Sequence, residues 1–241
     1  MKFGFTEAGA FKNFLKVVSN VADEITFLLN EDGLRCQVTA RMGISMFDVM
    51  FKSSYFDVFE VESEECIKIV PEDISKILKT VGKDEHILFD VDQYNLHLLI
   101  EGTRRRNFNI SLIDTFDDFR ELPSFELGVE SELEVDDLLA CVKDLELMGS
   151  PEIILKAENN SIGCSGFNDY KGSVECSIGE CDGSGITNYN IGSFKEVISF
   201  KEINNNVRLC FGSNMPVLCK FESLMGDVEL TTLLAPIINN D

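Results

Sequence analysis

Histidine occurs only twice in this chain, at His86 and His97, and none of its eight cysteines stands in a CxxC pair. Structural zinc sites draw on closely spaced cysteines and histidines, so the spacing argues against zinc and no metal is expected. There is no GxxxxGK[ST] phosphate loop, and neither Ser165-Gly166 nor Ser184-Gly185 lies in a GxSxG elbow; the usual signatures of nucleotide hydrolysis and serine acyl transfer are missing. No apolar run reaches the roughly 18 residues of a membrane helix. The opening Met1-Lys2-Phe3-Gly4-Phe5 lacks a signal-peptide core. Cations are scarce too: 21 lysines and arginines face 42 acidic residues, a net charge of −21. That balance argues against nucleic acid, whose partners carry a basic footprint, unless the few cations share one surface.

What is present is an apolar content of 44 %, enough for one large domain or two of about 120 residues. Cys36, Cys66, Cys141, Cys164, Cys176, Cys181, Cys210 and Cys219 read as reduced thiols, several in apolar strand patterns, where free cysteine behaves as a small hydrophobe. Glu64-Glu65 and Asp117-Asp118 read as solvated charge.

The chain also repeats itself. Glu24-Ile25 leads to Cys36 through an apolar stretch and an acidic turn, and Glu152-Ile153 leads to Cys164 in the same way. Each follows a lysine-bearing amphipathic helix. The first spans residues 7–22, with Phe11, Phe14, Leu15, Val18, Val21 and Ala22 on one face and Lys12 and Lys16 away from its centre. The other covers residues 135–148, with Lys143 opposite its stripe. A second helix begins at Pro71 and runs towards Gly82 with Lys76, Lys79 and Lys83 beside its buried stripe, and a fourth follows a capping box of Ser193 and Glu196. Strands are expected at 25–29, 44–51, 86–91, 96–101 and 107–113, then at 153–157, 162–165, 174–178, 207–211, 217–221 and 228–233. Residues 114–125 fit neither period and read as a linker lying on a surface. Each half reads helix, strands, helix, strands: an α+β chain with antiparallel sheets.

Four segments carry a resemblance to a known family: Asp73-Ile-Ser-Lys-Ile-Leu-Lys79, Asn107-Phe-Asn-Ile-Ser-Leu-Ile-Asp114, Asn214-Met215-Pro216 and Leu234-Ala235-Pro236-Ile237. In this order and spacing the chain resembles a DNA sliding clamp of the proliferating cell nuclear antigen family, across essentially its whole length, with a length that suits the archaeal members. The resemblance implies two similar clamp domains, 1–114 and 128–241, joined by a connecting loop at 115–127. Their antiparallel sheets and inner helices assemble as a closed trimeric ring around double-stranded DNA. It implies no catalytic site and no cofactor. The partners are a DNA polymerase, a flap endonuclease, a DNA ligase and an ATP-dependent clamp loader, with no membrane. The place of action is at chromosomal DNA, cytoplasmic if archaeal and nuclear if eukaryotic.

Residue by residue, the resemblance places Lys12, Lys16, Lys76, Lys79, Lys143 and Lys201 on the hole-lining surface, with Lys83 and Arg104–Arg106 close to it. Contacts from lysine to phosphate carry no sequence information, which suits a ring that slides. Ile44, Met46, Leu122, Pro123, Phe125, Pro216, Leu233, Ala235 and Pro236 match a pocket that receives client peptides. Asn107, Phe108, Ile110 and Leu112 match one subunit edge, and Val174, Cys176 and Ile178 the other. The chain departs from the family at Val38-Thr39-Ala40, where Ala-Met-Asp or Ser-Met-Asp is common. Its second half is poor in inner lysines, with Asp136, Asp137, Asp144 and Glu146 sharing the helix of Lys143. These departures keep open a subunit of a heterotrimeric clamp or a damage-signalling relative.

Overall fold

A computed structural model describes residues 1–115 and 117–238. Its contacts divide the chain into two units: Met1–Arg41, Asp48–Glu121 and Glu222–Leu230 form the first, and Met42–Phe47, Leu122–Phe221 and the chain from Thr231 the second.

The first unit contains β1 (Lys2–Phe5), α1 (Gly9–Val21), β2 (Ile25–Asn30), β3 (Gly33–Thr39), the later part of β4 (Ser45–Lys52), β5 (Val58–Glu60), β6 (Glu65–Ile69), α2 (Pro71–Leu78), β7 (His86–Val91), β8 (Asn95–Glu101) and β9 (Arg106–Ser111). One antiparallel sheet runs β5-β1-β7-β8-β9, and β2 pairs with both β3 and β6. Helix α1 forms on its apolar stripe, burying Phe11, Phe14, Leu15, Val18 and Val21. Phenylalanine dominates this core: Phe3 stacks on Phe89 at 4.7 Å, Phe5 meets Phe11 at 5.1 Å, and Phe11 meets Phe51 edge-on at 5.4 Å. Aromatic pairs at these separations add to the energy of area burial alone.

The second unit contains β10 (Val129–Glu134), α3 (Val135–Met148), β11 (Glu152–Glu158), β12 (Ser161–Asn168), β13 (Gly172–Glu180), β14 (Asp182–Gly183), β15 (Gly185–Asn190), α4 (Ile191–Ile198), β16 (Asn206–Phe211), β17 (Val217–Glu222, all but its last residue) and the end of β18 (Val228–Leu234). Strands β13-β12-β11-β15 make one antiparallel sheet, and β10 pairs with β14 and β16. Helix α3 packs on β12 and β13. It does so closely at Gly166, where a Cβ would stand 2.5 Å from Leu145 Cδ2. It stops at Gly149, whose φ of 71° is the left-handed conformation that glycine supplies at helix C-termini.

The repeat seen in the sequence is a repeat of register. Phe27 faces Cys36 and Asn30 faces Gly33 in the first hairpin; Leu155 faces Cys164 and Glu158 faces Ser161 in the second. The second turn is Asn159-Asn160, both at positive φ (55° and 62°), as a two-residue hairpin of the primed type requires. Ile25 pairs with Ile69 and Ile153 with Tyr189, and a helix begins two residues after each partner, at Pro71 and at Ile191.

Several strands escape the periodicity: β1, β3, β5, β6, β10, β14 and β15 are additional to those expected. In β15 the buried positions are polar. Thr187 donates to Gly212 O at 2.5 Å and Tyr189 to Met215 O at 2.9 Å, so a buried strand reads as a loop. Helix α2 ends at Leu78, earlier than Gly82, because Thr80 and Val81 turn back on the carbonyls of Ile77 and Leu78. Helix α4 is not capped by Ser193. Asn190 is the N-cap, its side chain accepting from Ser193 N at 3.0 Å. Asn190→Ala should therefore lower stability by about 1 kcal/mol, measured by denaturant unfolding; no change would remove this assignment.

Candidate functional site

Four lysines of the first unit, Lys12, Lys16, Lys76 and Lys79, lie on or at the end of two helices that pack together, α1 and α2. Lys12 is half-buried, and its Nζ donates to Val81 O at 3.3 Å just past α2. Burial lowers its pKa, opposed by the charge of Glu85. Lys16, Lys76 and Lys79 are exposed on these helices and Lys83 on the turn after α2. Lys76 pairs with Glu72 one helical turn back at 2.7 Å; both groups stay in solvent, so the pair leaves the charge available. Arg106 reaches Glu85 at 2.5 Å and Thr80 Oγ1 at 2.8 Å, which fixes it beside the end of α2, while Arg104 and Arg105 are exposed.

In the second unit Lys143 is exposed on α3, Lys195 is held by both carboxylate oxygens of Glu146 at 2.9 Å and Lys201 by Asp136 at 3.0 Å. Both pairs are solvent-exposed, as the Lys76–Glu72 pair is, so these charges too stay available.

The expected docking residues all belong to the second unit. Ile44 O accepts from Ala235 N at 2.8 Å, which brings the start of β4 together with the chain after β18. Leu233 is buried; Ile44, Met46 and Pro236 are half-buried and Ala235 exposed. Pro216 follows Met215, the residue held by Tyr189. Leu122 and Phe125 are half-buried and Pro123 exposed, on a stretch without regular secondary structure.

The stretch just before Leu122 is anchored within the first unit, by contacts that sequence reasoning missed. Asp117, expected as solvated charge, accepts from Thr26 Oγ1 at 2.8 Å and from Lys68 at 3.3 Å. Gln37 and Arg120 exchange two hydrogen bonds of 2.9 Å, and Arg35 lies over the Phe119 ring at 5.6 Å while bonding Asp48 through both nitrogens. The signal lay in the polar residues of β3, Arg35 and Gln37, which alternate with buried Leu34, Cys36 and Val38.

The matched edge residues lie on outer strands. Strand β9 pairs with β8, and β13 with β12, at the ends of their sheets. Phe108, Ile110 and Leu112 on one side, and Val174, Cys176 and Ile178 on the other, are half-buried apolar side chains, while the alternate positions Asn107, Asn109, Glu175 and Ser177 are exposed. A partly covered apolar row along an unpaired strand edge is suited to strand addition.

The chain is thus a duplicated α+β fold with lysines on its helices and sheet edges at β9 and β13, an arrangement shared with sliding clamps. Residues 1–118 match the family model for the N-terminal domain of proliferating cell nuclear antigen. A DNA polymerase sliding clamp of Thermofilum pendens is 30 % identical over 98 % of both chains, and one of Thermococcus kodakarensis is 28 % identical over 96 % of both. Among solved structures, a PCNA2–PCNA3 complex from Sulfolobus tokodaii matches with a TM-score of 0.89 at 22 % identity, covering 98 % of this chain and 99 % of that one. The chain belongs to the proliferating cell nuclear antigen family of DNA sliding clamps.

Proposed function

We propose that this protein is a DNA polymerase sliding clamp: a processivity factor that encircles duplex DNA and tethers polymerase, flap nuclease and ligase, with no catalysis of its own. The observation that carries the reading is the gathering of Lys12, Lys16, Lys76 and Lys79 on the packed pair α1 and α2 in a chain of net charge −21. Acidic surface elsewhere repels phosphate, and solvated lysines attract it without fixing register, which keeps sliding barriers low. Lys143 and Lys201 contribute from the second unit. The clamp domains are 1–114 and 128–241, joined by 115–127, and the protein works inside the cell at chromosomal DNA, opened onto it by an ATP-dependent loader.

The test is native mass by light scattering through a dilution series. Three times the 27.0 kDa of one chain is expected. A mass of one chain at all concentrations would overturn the self-sufficient ring and favour a heterotrimer subunit.

Client docking rests on Ile44, Met46, Leu122, Pro123, Phe125, Pro216, Leu233, Ala235 and Pro236. Leu122→Ala with Pro123→Ala should weaken a client peptide bearing aromatic anchors by about tenfold or more, the scale of an interface hot spot, with mass unchanged. Unaltered affinity in calorimetry would remove the pocket.

A further inference from the structure

Spacing along the chain gives no metal motif, yet the fold assembles a three-sulfur site. Cys141 on α3, Cys164 on β12 and Cys176 on β13 come from three separate elements, and their Sγ atoms all lie within 4.8 Å of one another. The register makes this a built arrangement: Cys164 and Cys176 are directly opposed across the β12–β13 pair, and α3, packed over both strands, turns Cys141 to the same place. Among the described residues no histidine or carboxylate joins the group, and both histidines of the chain lie in the other unit. Cys141 and Cys164 are buried, whereas Cys176 is half-buried at the outer strand of its sheet, giving an ion a way in.

We propose that Cys141, Cys164 and Cys176 form a trigonal thiolate site for a soft, monovalent d10 cation of the copper(I) class. Ligand chemistry selects the ion. Thiolates prefer soft cations, and zinc sites complete a tetrahedron with a fourth ligand; three sulfurs with no nitrogen or oxygen partner match the soft ion better. In the free protein the buried thiols hold their protons, because burial and the neighbouring thiols raise Cys141 to about 11 and push Cys164 up as well. Binding forms three sulfur–metal bonds and releases up to three protons to solvent. The ion's oxidation state does not change, so no electron acceptor is needed. The site joins α3 to an outer strand that the clamp reading assigns to subunit contact, but it does not depend on that reading.

The test is anaerobic titration of the reduced full-length protein with copper(I), in competition with the chelator bicinchoninate. One ion per chain is expected, with sulfur-to-copper absorbance in the near ultraviolet. Cys176→Ser changes a half-buried position and should retain the circular dichroism of the parent. It should weaken binding at least about a hundredfold, beyond the range for losing a mere supporting partner. Cys66→Ser, outside the cluster, should bind like the parent. Bound copper should also shield Cys176 from iodoacetamide, read by peptide mass. No retention against the chelator, zinc held as tightly as copper(I), affinity unaltered in Cys176→Ser, or equal loss in Cys66→Ser would each overturn the site.

Discussion

A chain carrying Lys76→Glu and Lys79→Glu is expected to keep the parent's native mass and to lose most of its stimulation of a DNA polymerase on a primed template. Both side chains are exposed, Lys76 on α2 and Lys79 at its C-cap, so reversing them leaves the core of the helix, Ile74 and Leu78, untouched. Each lysine that meets phosphate contributes about 0.9 to the slope of log affinity against log salt. Losing two per chain, up to six in a three-chain ring, should flatten that slope by up to about 5.4, and the new carboxylates add repulsion. The loss should be deepest at low salt, where the parent's attraction is least screened. The glutamine pair Lys76→Gln with Lys79→Gln, which removes attraction without repulsion, should fall between. Stimulation equal to the parent's across the salt series would mean that α2 does not face DNA.

The second large effect concerns assembly. Phe108→Asp on β9 or Ile178→Asp on β13 places a carboxylate in the apolar row beside an open strand edge, and either change should reduce the native mass from three chains to one. Neither side chain is fully buried, so circular dichroism should be unchanged. A mixture of the two variants provides a sharper check. The pairing of β9 with β13 that we propose between chains would be heterologous, so each variant would keep one sound edge of opposite kind. Mixed, they should form a two-chain species through one intact contact and go no further. Trimers in either pure variant would reject these strands as the contact; a mixture of monomers alone would reject their pairing with each other.

The α+β class, the two-fold repeat and the four helices are legible because amphipathic stripes such as Phe11-Phe14-Leu15-Val18 admit one reading. Among the missed strands, the buried positions of β15 are polar, Thr187 and Tyr189, and β6 adjoins an acidic run at Glu62 and Glu64. Strands β1 and β3, with buried apolar residues, are too short or too mixed with polar residues to stand out. Periodicity reports apolar burial, and hydrogen-bonded burial is invisible to it. The same limit explains Asp117 and Asn190, whose partners Thr26, Lys68 and Ser193 are identified only once the backbone is in place. The lysines of α1 and α2 were readable from sequence as helix-face charge; that α1 packs on α2 was not. The cysteine cluster lay further out of reach, since its members come from three elements with no motif among them.

The division of the chain between its two units bears on how the protein is made. Glu222–Leu230 belongs to the first unit although the bulk of the second lies between it and the rest of that unit, and Met42–Phe47 belongs to the second although it precedes most of the first. Domains commonly fold in order as they are synthesised. Here the first unit's contacts include a segment translated after most of the second, so the two units share their completion. A product that stops within residues 115–127 would lack Glu222–Leu230 and with it the contacts that segment makes in the first unit.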